Sequence, residues 1–317
     1  MMEPSPINDF KPNRDFIFPA SWTLLLLVVA ILFGYLLGGA MSSLLAYLNN
    51  TDISVLLSGF GETSPYADRQ ILRWISLLSH LASFSIPALG VFILLYRRQW
   101  SQQLLLNVGP RLTPAVLSIF FILVSFPLAQ TVYWLNRQLP LPEWMVGMEG
   151  EVSNLVQGLL VMESPGELLF NLLVVAVAPA IGEELVFRGV MQQQFYRIAR
   201  SPGLAVWITA FLFSAVHLQF EGFLPRFLLG ALLGYLFLWS KNLWIPILAH
   251  FFFNGIQVAG QYFAGDALEA IDATQTEQPY WVAGAGSLFL VFLVGYYIKR
   301  YFALPEQQEG AENEQTI

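Results

Sequence analysis

The chain has 317 residues, of which 56% are hydrophobic and only 12% charged, against roughly a quarter charged in ordinary soluble domains. That composition excludes a soluble globular enzyme and points to a protein embedded in a bilayer. A net charge of -7 argues against nucleic acid as a partner, and the lack of cysteine excludes disulfides, thiolate metal sites and a cysteine nucleophile.

About 20 apolar residues cross a hydrocarbon core, and eight runs have that character. They lie near 19–48, 74–96, 113–135, 168–197, 203–220, 224–240, 243–263 and 280–298. The first is too long for the hydrophobic region of a signal peptide and reads as a retained anchor. The expected fold class is therefore all-α, a polytopic membrane helix bundle of about eight transmembrane helices. The chain divides into an N-terminal cytoplasmic segment (1–18), three helices (19–135), an extracytoplasmic loop (136–166), a core (167–263), an acidic loop with the last helix (264–302) and an acidic tail (303–317). That tail has too few apolar residues to pack and is expected to be disordered.

Positive charge near span ends collects on the cytoplasmic side. With the N-terminus inside, Lys11, Arg14, Arg97, Arg98, Arg111, Arg188, Arg197, Arg200, Lys241, Lys299 and Arg300 fall inside, and Arg69, Arg73, Arg137 and Arg226 outside. Eleven against four favours both termini in the cytoplasm, in an inner or plasma membrane. The outer loops are acidic, with Glu143, Glu149, Glu151 and Glu163 before the fourth span and Asp266, Glu269, Asp272 and Glu277 before the eighth. In the first of these loops Val152, Leu155, Val156, Leu159 and Leu160 share one helical face, the pattern of a helix lying on the surface or packed on the core.

The stretch "IGEELVFRGV", 181–190, puts two carboxylates and a guanidinium into an apolar run. A charge in hydrocarbon costs at least about 2.5 kcal/mol, so such groups usually face a cavity and a partner. Glu184 and Arg188 are four apart and can pair along one helix face. Glu183 is rotated about 100° away and has no partner within its own helix. His217 ends "FSAVH", four residues after Phe213, and His250 begins "HFFFN", with Asn254 four residues on. Counted from the cytoplasmic helix ends, Glu183 and His217 lie about 21 Å deep, and His250 and Asn254 roughly 10 to 17 Å deep. All four can meet in one layer, which on this topology can open toward the cytoplasm.

Burial strengthens a carboxylate as a base toward water. A neutral histidine can orient that water, and His and Asn N–H groups can stabilise the oxyanion of a tetrahedral intermediate. The same residues, Glu183, His217 and His250, are the alternative ligand set for zinc, although no HExxH is present. The residues alone do not separate a glutamate-activated water from a metal-activated one, and no cofactor is assigned.

"EELVFR" matches EExxxR, "FSAVH" matches FxxxH and "HFFFN" matches HxxxN, in an order and separation that resemble the CPBP family of type II CAAX prenyl endopeptidases and Abi-like proteins. The resemblance covers about 167–263. It implies an intramembrane endopeptidase in which Glu183 activates water, His217 positions it, and His250 and Asn254 form the oxyanion hole, with Glu184, Arg188 and Phe213 in support. The implied partners are the lipid bilayer and a membrane-tethered or lipidated protein or peptide, with oligomeric state left open. The alternative is a non-proteolytic scaffold, bacteriocin-immunity factor or transporter.

Three further features carry weaker expectations. His80 reads as an interhelical hydrogen-bonder. Pro87, Pro127, Pro179 and Pro246 are candidate kinks, and Pro179 deprives the Val175 carbonyl of its usual donor, which can widen a cavity beside the site. "GALLG", 230–234, has the spacing of close helix packing, with dimerisation the weaker alternative.

Overall fold

The computed structural model describes residues 18–270 and 281–303. The expectations for Lys11 and Arg14, for the acidic side chains ahead of the last helix and for the tail lie outside the described residues. Those described form helices and short connections, with no strand among them. The helices, in chain order, are α1 Ala20–Leu48, α2 Ile53–Ser58, α3 Tyr66–His80, α4 Ile86–Tyr96, α5 Trp100–Gln103, α6 Leu112–Leu123, α7 Phe126–Arg137 and α8 Glu143–Leu160. There follow α9 Pro165–Asn171, α10 Ala178–Glu184, α11 Gln193–Ala199, α12 Pro202–Ala215, α13 Phe223–Ser240, α14 Trp244–Ala270 and α15 Trp281–Ala303.

Each of the eight apolar runs carries helix, although in the fifth the helix ends at Ala215. Six spans are long and apolar enough to cross a membrane by length and composition: Ala20–Leu48, Tyr66–Gln103, Leu112–Arg137, Pro165–Ala199, Phe223–Ser240 and Trp281–Ala303. Pro202–Ala215 is apolar but shorter. Together with the composition, these helices make the chain an integral, multi-pass membrane protein.

The fourth span is not one regular helix. π-helical turns cover Leu172–Val177 and Leu185–Gln192, on either side of α10, and a third, Leu81–Ser85, joins α3 to α4. Pro179 and Pro87 each follow such a turn within two residues, where the wider coil accommodates the missing N–H. Local sequence sets the ends. Ser164 accepts from the Glu167 N–H at 3.3 Å ahead of Pro165, and Ser201 accepts from the Leu204 N–H at 3.4 Å ahead of Pro202. Arg200 and Lys241 stop α11 and α13 in left-handed conformations, with φ of 53° and 49°.

The bundle has two poles, identified by contacts between its loops. At one, the Leu243 N–H donates to the Leu105 carbonyl at 3.0 Å, the Gln193 amide to Gln103 at 3.1 Å and Arg197 to Phe18 at 2.7 Å. We call this the basic pole. At the other, Asn136 donates to the Phe220 carbonyl at 2.8 Å, the Glu221 N–H donates to Glu149 at 3.2 Å, and Leu56 and Phe60 pack on Leu155 and Leu159 of α8. This is the α8 pole. The apolar face of α8 is thus turned onto the protein, the core-packed alternative of the two expected for it.

A buried ion cluster anchors that pole. Arg73, fully buried, pairs with Glu167 at 2.6 Å and donates to Asn171 at 2.8 Å and to the carbonyls of Leu159 and Val161 at 3.1 and 2.6 Å. Arg69 pairs with Glu163 at 2.9 Å and Glu167 at 3.2 Å. Counting these two arginines as loop charges was therefore mistaken: they satisfy the C-terminal carbonyls of α8 and a buried carboxylate. In "GALLG", a Cβ on Gly230 would meet the Ala210 Cα at 3.1 Å and one on Gly234 the Val206 Cγ1 at 2.9 Å. The small residues serve contact between α13 and α12 within the chain.

Candidate functional site

Glu183 and Glu184 end α10, just before the π-helical turn that carries Arg188. The expected pair forms, Arg188 Nη1 donating to Glu184 Oε1 at 2.6 Å, with both side chains 0% exposed. Arg188 Nη2 also donates to the Gly230 carbonyl at 2.8 Å, and its guanidinium lies over the Phe213 ring at 4.7 Å. The same Glu184 Oε1 is 2.8 Å from His250 Nδ1. Arg188 is therefore a member of this cluster, and its assignment to the cytoplasmic loop charge is corrected.

Glu183 makes no such pair. Its Oε2 stands 4.0 Å from His250 Nε2, and its side chain faces a cavity of about 480 Å³. His217, His250 and Asn254 line that cavity with it. The four residues singled out from three separate segments are thus brought together, with Phe213 also in the wall. Glu184 and Arg188 lie behind, buried in the core.

The hydrogen bonds assign the ring atoms. His217 Nδ1 is 2.8 Å from the Phe213 carbonyl, and a carbonyl only accepts, so Nδ1 carries a hydrogen. Nε2 is the ring's remaining polar atom. Likewise His250 spends Nδ1 on Glu184, which leaves Nε2 toward Glu183. Asn254 donates Nδ2 to the Val175 carbonyl at 3.0 Å, the carbonyl expected to lose its donor to Pro179. Val175 and Pro179 both line the cavity, and the asparagine supplies the donor that the proline cannot; one N–H of its amide is left over.

Other wall residues were less legible. His80 lines the cavity, stacks on Phe84 with ring centroids 4.7 Å apart, and has no hydrogen-bond partner for Nε2. It is close to Gly182, where a Cβ would lie 2.7 Å from His80 Nε2 and 2.8 Å from Ser85 Oγ. Arg226 and Gln219 line the wall where it reaches the α8 pole, as do Val156, Leu159 and Leu160 of α8. No residue of the basic-pole loops lines it among the described residues, so the cavity lies toward the α8 pole. The reason is the short α12: it ends at Ala215, which leaves His217 in the turn at its far end rather than partway along a span.

Glu183, His217 and His250, the alternative ligand set for zinc, all line the cavity. Among the described residues no three His, Asp or Glu side chains are placed to hold a metal ion together. The Nδ1 atoms of both rings are held by fixed protein acceptors, which leaves their Nε2 atoms free, and Glu184 is held by Arg188.

Residues 165–256 match the family model described as type II CAAX prenyl endopeptidase Rce1-like. This segment belongs with the CPBP family. It contains all three motifs and every residue from Glu183 to Asn254 discussed above. The chain is also similar to YpbD of Bacillus subtilis (strain 168), an uncharacterized protein, with 28% identity over 81 residues. That match covers 24% of this chain and 38% of the relative, so the chain spans well under half of YpbD. No solved structure matches.

Proposed function

We propose that the chain is an intramembrane endopeptidase that hydrolyses a peptide bond of a membrane-tethered or lipidated protein or peptide. The observation that carries this reading is the gathering of Glu183, His217, His250 and Asn254 around one cavity, with Glu184 and Arg188 neutralising each other behind it. The CPBP-like segment supports the same class of activity.

In this mechanism Glu183 takes a proton from water as the water oxygen bonds to the substrate carbonyl carbon, and the carbonyl electron pair moves onto its oxygen. His217 Nε2 accepts from the water's second hydrogen and so fixes its position. The free N–H of Asn254 meets the oxyanion. His250 can add to it only through a protonated Nε2, because Nδ1–H is committed to Glu184. A proton shared between Glu183 and His250 leaves the buried set Glu183, Glu184, Arg188 and His250 neutral in either position. The C–N bond then breaks as Glu183 returns the proton to the leaving nitrogen.

No step passes through a metal. The test is turnover of membrane-anchored peptides by the purified full chain, with and without chelator. Chelator-insensitive cleavage that is lost in Glu183→Gln is expected. Cleavage abolished by chelator, or unchanged in the variant, would refute the mechanism.

A further inference from the structure

The poles of the bundle differ sharply in charge, and the cavity belongs to one of them. Arg97, Arg98, Arg111, Arg197, Arg200 and Lys241 lie in or beside the connections of the basic pole, and Lys299 and Arg300 close the last helix there. At the α8 pole, Arg69 and Arg73 are buried in ion pairs and Arg226 lines the cavity, which leaves Arg137 as the solvent-facing cation among the described loops. The segments that reach this pole also carry Asp52, Glu62, Asp68, Glu143 and Glu151. Positive charge beside span ends is retained on the cytoplasmic side. The structure sharpens that asymmetry, since Arg69, Arg73 and Arg226, which count against it, and Arg188, which counts for it, lie in buried ion clusters or in the cavity wall.

The wall of the cavity ends at the α8 pole. It is formed there by α8 and by the turn that carries Gln219, and its exposed members are Val156, 41% exposed, on α8 and Gln257 on α14. We propose that the Glu183 cavity faces the non-cytoplasmic side of the membrane. Resting on the peptidase reading above, this defines the substrate as a membrane-anchored polypeptide whose scissile segment lies on that side, entering between α8 and α14. A peptide anchored in the same bilayer but exposed to the cytoplasm meets the basic pole, where the loop contacts Leu243 to Leu105 and Gln193 to Gln103 close the bundle.

The absence of cysteine makes the test direct. Gln138→Cys and Gln219→Cys report the α8 pole and the cavity wall, and Gln99→Cys the basic pole. Each full-length variant is treated with a membrane-impermeant maleimide in intact and in permeabilised spheroplasts. The first two are expected to label in intact spheroplasts, and Gln99→Cys only after permeabilisation. Labelling of Gln99→Cys in intact spheroplasts overturns the proposal, as does labelling of Gln138→Cys there without Gln219→Cys. A second arm uses two reporters with one anchor and the same test peptide on either side. Cleavage of the non-cytoplasmic reporter alone, lost in Glu183→Gln, is expected, and cleavage of the cytoplasmic one overturns the orientation. If neither reporter is cut while labelling follows the expected pattern, the orientation stands and the peptidase reading is what fails.

Discussion

Two adjacent glutamates occupy different environments, and the difference is measurable. Glu184 accepts from Arg188 and contacts His250 in a fully buried set, so Glu184→Gln leaves a buried guanidinium without its counter-ion. Losing one partner of a buried pair costs about 3–5 kcal/mol, and a marked fall in thermal stability is expected. Glu183→Gln removes no ion pair shorter than 4.0 Å and is expected to melt near the wild type. Asn254→Ala strips the Val175 carbonyl of its donor, a change worth about 1–3 kcal/mol, and is also expected to lower turnover by roughly 10²–10³-fold through loss of an oxyanion donor. Loss of stability with full turnover in Asn254→Ala would confine this residue to a structural role. The pairing of Glu184 with Arg188 was legible because it needs only helical spacing. The link from Asn254 to Val175 was half legible: Pro179 marked the orphaned carbonyl, but nothing in the sequence named its donor, 79 residues away.

At the scale of elements, the helix ends and apolar runs follow from local signals, whereas the irregular turns do not. Ser164–Pro165 and Ser201–Pro202 mark the starts of α9 and α12, and all eight apolar runs carry helix. The π-helical turns beside α10 leave no mark in hydrophobic periodicity, because they depend on which neighbour donates to each carbonyl. His80 escaped for the same reason. Its place in the cavity wall is set by α3 crossing α10 at Gly182, a contact between segments about 100 residues apart in sequence. Gly182→Ala tests that crossing. Its new methyl would press on His80 Nε2 and Ser85 Oγ at 2.7 and 2.8 Å, and overpacking of this kind costs about 1–3 kcal/mol. Because the displaced backbone carries Glu183, turnover is expected to fall while residual protein stays folded. Full activity in Gly182→Ala would show that the site tolerates movement of α10.

For the whole molecule, composition alone identified a multi-pass helical membrane protein, and the three motifs identified the segment that matches the CPBP family. The direction in which the site opens was not legible, since it depends on where α12 ends and on α8 folding back over the cavity. The Arg73 cluster holds that cover in place by tying α3, α9 and the end of α8 together. Arg73→Met, which leaves Glu167 buried with only Arg69 against it, is expected to lower stability by about 3–5 kcal/mol and to raise proteolytic nicking near 159–164. Unchanged stability would show that α8 is held by its apolar contacts alone.

The central claim is that Glu183 activates the attacking water, and it is tested most directly by turnover in Glu183→Gln. With the purified full chain and a cleavable membrane-anchored peptide, the variant should lose roughly 10²–10⁴-fold in rate, the span of a general base, with an unchanged melting temperature. Cleavage at the wild-type rate by a folded Glu183→Gln protein would contradict the account.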